Sequence, residues 1–166
     1  MFSQIISLTP ERDRLQAKAR AHHFRDALQL TLDTPSLTPS QLQYRIFNTL
    51  PGWVTQLMRL RNKLVAVFGF SVGKNNMEPA SDELDVGDQA GFLSISEKYP
   101  EEIISNAEDR HMAFYLSVKK QQNTVIVSTL VNPKTLTGRV YLTAILPFHY
   151  VIARSVIHRA KKAGRL

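Results

Sequence analysis

The chain of 166 residues contains no cysteine, which excludes disulfides, thiolate chemistry and cysteine–zinc sites. It has no uninterrupted apolar run of about 18 residues, the signal of a membrane span. Its opening stretch, MFSQIISLTPERDR, lacks a basic segment followed by an apolar one. No secretory signal is therefore expected, and the cytoplasm is the expected location. No G-x-G-x-x-G occurs, so no nicotinamide cofactor is expected, and nothing else in the chain implies a cofactor. His22, His23 and His111 lack the spacing of a metal site, so no metal is expected. Ser155 and His158 share neither a helix face nor an obvious acid, which removes the hydrolase triad. An RNP-like aromatic motif, a helix-turn-helix pattern and zinc ligands are all missing, so nucleic acid is not an expected partner.

Acid is also missing from long stretches. Ten of the 14 acids fall between Glu78 and Asp109, where Lys98 is the only base, and from Arg110 onward ten Lys and Arg meet no acid at all. The net charge of +7 is therefore polarised along the chain. Either the acidic segment folds back against basic faces, or the basic part meets an anionic partner. Such a partner would be an acidic ligand, a lipid head group or nucleic acid, with nucleic acid ranking last among them. A membrane-surface module ranks last among the functional readings, because cations in the final helical turn already have an explanation in the helix dipole.

What is present is a globular composition, 43% hydrophobic, in a length that suits one domain with a sizeable core. The organising stretch is PGWVTQLMRLRNKLVAVFGF, Pro51 to Phe70. At about 100° per residue, Trp53, Val54, Leu57, Met58, Leu60, Leu64, Val65, Val67 and Phe68 share one half of a helix. Arg61 falls in the middle of that apolar arc. A buried guanidinium cannot shed its proton, so it needs an anion or a set of acceptors.

The rest of the chain supplies the surroundings. Residues 1–22 read as an N-terminal arm, a surface helix or loop that Thr9-Pro10-Glu11 could cap. Residues 23–166 read as a single domain. His23 to Leu32 alternates as a half-buried strand that carries an acid, Asp26, on its apolar face. Thr38 and Pro39 open a helix to about Leu50. Ser71 to Ala90 reads as a polar, acidic loop with one short element. Phe92–Lys98, Glu102–Glu108, His111–Lys119, Thr124–Val131 and Arg139–Leu146 read as strands joined by turns. Pro147 is expected to open the last helix, which Gly164 ends.

This order predicts an α+β fold: two helices after the first strand, then an antiparallel sheet of about six strands curled around a long C-terminal helix. It resembles the helix-grip (START-like) fold of the polyketide-cyclase-like and pollen-allergen-like lipid binders. Asp26 in its strand, the W-x4-M-x2-R-N helix and the closing GRVYLTAILPFHYVIARSVI, with its P-F-H, are similar to the bacterial family of domain of unknown function 2867. The similarity runs from about His23 to Ala160. It implies a stand-alone form of a module sometimes joined to short-chain reductase-like domains, hence a possible reductase-like partner protein. It brings no assigned activity.

The helix-grip resemblance implies a cavity between the sheet and the last helix, and with it a hydrophobic or amphipathic small molecule with an acidic end. Arg61 would hold the acid, or else brace the core by pairing with Asp26. His149, expected in the first turn of the last helix, would be kept neutral by the dipole. Trp53 and Tyr141 would form core and cavity wall, and Asn62 would face outward. The alternative is a cyclase, hydratase or isomerase with His149 or Asp26 as general base and Arg61 as anion stabiliser. A third reading is an interaction or membrane-surface module using the basic C-terminal tail.

Overall fold

A computed structural model describes residues 5–9, 13–69 and 81–166. Residues 10 and 11 of the expected cap and residues 71–80 of the expected loop lie outside the described residues. The elements are β1 (Ile6–Leu8), a 3-10 turn (Gln16–Lys18), β2 (Phe24–Thr31), α1 (Pro39–Phe47) and α2 (Gly52–Ala66). They continue with β3 (Gln89–Ala90), β4 (Leu93–Lys98), β5 (Glu102–Glu108), β6 (Met112–Gln121), β7 (Thr124–Pro133) and α3 (Leu136–Lys162). The fold is α+β, with one seven-stranded sheet in the order β1-β2-β7-β6-β5-β4-β3. Every pairing is antiparallel, as hairpin-linked strands allow.

The alternation read in the sequence decides which face each strand buries. Leu28, Leu30, Ile103, Leu116, Val118 and Val125 meet Leu42 and Ile46 of α1 and Val156, Ile157 and Ala160 of α3 in the main core. Helix α1 starts as expected: the Thr38 side chain accepts from the Gln41 backbone, the Gln41 side chain answers, and Pro39 occupies the first turn.

The opposite face of the sheet is not bare. Ile104 and Leu130 point there and bury Leu15 completely. Asp13 binds Arg25 at 2.6 Å, Arg14 binds Glu102 at 3.1 Å, and Lys18 pairs with Glu97. The arm is therefore a strap across the back of the sheet, and its first described residues add an edge strand, β1. A single apolar residue in a polar stretch gives no periodicity, which is why the arm reads as surface in the sequence. The apolar partners of Leu15, Ile104 and Leu130, come from strands some 90 to 115 residues away.

The main correction concerns Arg139–Leu146. It is helix, not strand, and Pro147 lies inside α3 rather than at its start. The segment is rich in strand-forming residues, but its apolar positions also fit a helical period, and tertiary context settles the choice. The Thr135 side chain accepts from the Gly138 backbone and starts the helix. Gly138 then lies so close to the β5–β6 turn that an added Cβ would be 2.3 Å from the His111 carbonyl oxygen. Pro147 is exposed, so the carbonyl it leaves without a helical partner is on the solvent side.

Candidate functional site

Helix α2 turns Val54, Met58, Arg61 and Val65 toward the protein, an inward stripe at helical spacing. Arg61 is thus on the inner side of α2, as its place in the apolar arc implies. Its partners differ from the expected one. Nε donates to the Tyr141 hydroxyl at 2.5 Å and NH1 donates to Asn62 Oδ1 at 2.9 Å, with the guanidinium 5.4 Å from the Tyr141 ring centre. Both acceptors are neutral. Among the described residues no carboxylate pairs with Arg61, so two of the five N–H donors of its fork are used and its charge is not neutralised.

Asp26 pairs with His149 instead. Their Oδ2 and Nε2 atoms are 3.3 Å apart, and both side chains are mostly buried. Among the described residues, Nε2 is a buried polar atom without an aligned hydrogen-bond partner. The contact with His149 is the main influence holding the Asp26 carboxyl below its ordinary value. Burial opposes it, while the charges of His149 and Arg154 act in the same direction. Phe24 stands edge-on to the imidazole at 5.3 Å. His149 is in the middle of α3, more than three turns from the helix start, so the dipole argument for its neutrality does not apply.

Between these two polar pairs lies a compact apolar cluster. Val65, Met112, Val131 and Leu142 are buried in it, with Phe24, Phe114, Tyr141 and Leu146 packed alongside. Tyr141 and His149 are both on α3, eight residues and hence about 12 Å apart along the axis. The structure therefore joins Asp26 to His149 and Arg61 to Tyr141, without bringing all four to one point. Trp53 does not belong to this group: it is 46% exposed on the outer side of α2. Phe148, next to His149 on α3, is also exposed.

Two residues were not legible as part of this region. Asn62 turns half inward and accepts from its neighbour Arg61, and that adjacency is the only sequence signal for it. His111 is buried at the top of the region. Nδ1 lies 2.8 Å from Thr135 Oγ1, the cap of α3, and Nε2 lies 3.0 Å from the Phe68 carbonyl just past α2. One imidazole thus ties the end of α2 to the start of α3. Among the described residues, no three of His, Asp or Glu gather as a metal site would require.

Residues 18–156 match the model of the family described as Protein of unknown function (DUF2867), a span that includes Asp26, Arg61, Tyr141 and His149. No curated protein and no solved structure matches the chain. With most of its length covered by that match, the chain belongs to the DUF2867 family.

Proposed function

We propose that the protein binds a hydrophobic or amphipathic small molecule with an acidic end, in the region between the sheet and helices α2 and α3. The observation that carries this reading is the inward-turned Arg61, which meets no carboxylate among the described residues and is held by two neutral acceptors beside an apolar cluster. A guanidinium fixed in orientation but not in charge suits a carboxylate or phosphate, which it can meet with two parallel N–H bonds. The buried Nε2 of His149 offers a second polar contact about 12 Å further along α3. The helix-grip, START-related likeness of the sequence supports the same assignment, since such folds hold apolar ligands between sheet and long helix.

The test compares a panel of apolar acids with their neutral alcohols, using thermal shift and native mass spectrometry on the purified protein. Arg61→Leu should weaken an acid about 10- to 100-fold, the worth of one or two hydrogen bonds to a charged group. The matching alcohol should lose little. Equal loss for both would mean that Arg61 braces the fold and holds no ligand.

A second reading rests on the Asp26–His149 contact, which has the composition of an acid–base pair. A cyclase, hydratase or isomerase would use His149 or Asp26 as base and Arg61 on the developing anion. The 12 Å separation along α3 requires a substrate long enough to reach both. Turnover that His149→Ala abolishes while binding persists would favour this reading over simple binding.

A further inference from the structure

We propose that the outer surfaces of α2 and α3 together form a docking face for an anionic lipid bilayer, on which the protein lies without crossing it. The face begins with residues that the core does not use. On α2 and its C-terminal cap, Trp53, Leu60, Leu64 and Val67 are between 46% and 83% exposed. On α3, Leu136, Val140, Phe148 and Val151 are each more than half exposed and recur at helical spacing along one side.

The two helices meet at one place. Arg61 on α2 meets Tyr141 on α3, and Val65 shares a cluster with Leu142, which sets the seam there. Around α2, Leu57, Leu64, Trp53 and Leu60 lie on one side of Arg61, and the buried Val54 and Val65 lie on the other. Around α3, Phe148, Val151 and Val140 lie on one side of Tyr141, and the buried Leu142 lies on the other. Both exposed stripes therefore rise on the solvent side of the same seam. Scattered apolar residues on a surface need no explanation, but exposed apolar stripes on two helices that meet in this way mark an interaction site.

Charge identifies the occupant. None of the chain's 14 acids lies in α1, α2 or α3. Arg59 and Lys63 flank the stripe on α2, and Arg139, Arg159 and Lys162 flank or extend the stripe on α3; all five are exposed. Among the described residues none of these five makes an ion pair. An apolar centre with an uncompensated basic rim is the pattern of a helix surface seated in the headgroup layer of an anionic membrane. A second copy of the chain would bring the same positive rim against itself, so it is the poorer occupant.

The protein should lie on the bilayer, not cross it. By length and composition α3 could cross a membrane, and only 17% of its most apolar stretch is buried, unlike a core helix. Yet Leu142, Val156, Ile157 and Ala160 are packed into the fold, so a span would require α3 to leave the sheet.

The single tryptophan, Trp53, lies within the face and reports on insertion without labelling. The experiment is co-sedimentation with vesicles of phosphatidylcholine alone, or with about one-third phosphatidylglycerol, at about 0.05 M and about 0.5 M salt. Binding is expected to the anionic vesicles, falling at the higher salt. Trp53 emission should shift to the blue and be quenched by brominated acyl chains. Val140→Ser with Phe148→Ser should reduce binding about tenfold or more, and Lys63→Gln or Arg139→Gln about fivefold each. All these residues are exposed, so unchanged circular dichroism and melting should accompany the losses. Four results would overturn the proposal: no binding at low salt; binding without blue shift or quenching; full binding by the double serine variant; or a lipid-free dimer that the same variant dissolves. The last would assign the face to a second copy. None of these readouts depends on the small-molecule site.

Discussion

Gly138→Ala sets two effects of opposite sign against each other at the first turn of α3. Helix propensity alone favours alanine by up to about 1 kcal/mol. The contact opposes it: the new methyl would be 2.3 Å from the His111 carbonyl oxygen and 3.2 Å from its carbonyl carbon, where ordinary contact begins at 3.4 Å. The start of α3 would have to withdraw by about 1 Å from a close-packed turn. That turn is held from several directions. Lys134 N donates to the same carbonyl at 2.7 Å, and the His111 ring contacts Thr135 at 2.8 Å. Overpacking costs about 1–3 kcal/mol, and loosening one of these hydrogen bonds about 1 kcal/mol more. Less the propensity gain, the expected result is a net loss of about 2 kcal/mol. For a chain of this size that lowers the melting midpoint by about 4–8 °C. Thermal and urea unfolding followed by circular dichroism would measure it. A midpoint unchanged or raised would show that propensity prevails and that the turn yields freely, refuting the argument.

Leu15→Ala should cost about 3 kcal/mol in urea unfolding, because Leu15 is fully buried against Ile104 and Leu130. A change below about 0.5 kcal/mol, the scale of a surface substitution, would mean that the arm is not part of the fold in solution. The pH dependence of Asp26→Asn follows from the direction of its shift. The folded value lies below the ordinary 3.8, so the stabilisation is present in full above 3.8 and is lost as pH falls through the lower folded value. The advantage of wild type over Asp26→Asn in urea midpoint should thus shrink as pH is taken from about 6 to about 2.5. An advantage that stays flat over that range would show that ionisation of Asp26 contributes nothing to stability.

The amino-acid pattern alone determined a good part of this protein. Period-two alternation placed β2 and β6 to within a residue or two, turn signals and β-branched residues placed β5 and β7 as closely, and the Thr38-Pro39 pair placed α1. The inward Arg61 followed from the helix wheel, since one long cationic side chain in an apolar arc is a local conflict visible without coordinates. The tertiary structure decided what local pattern leaves open. Residues 139–146 suit a strand or a helix equally, and the cap at Thr135 with the close approach of Gly138 to His111 made them helix. Partner choice was likewise non-local: Arg61 and Asp26 each needed a polar partner, but which one depended on how α3 crosses the sheet. Nor can a helix wheel show how much of an apolar arc is covered. On α2 and α3 only part of it is, and what remains exposed is a property of packing between distant segments, not of either segment by itself.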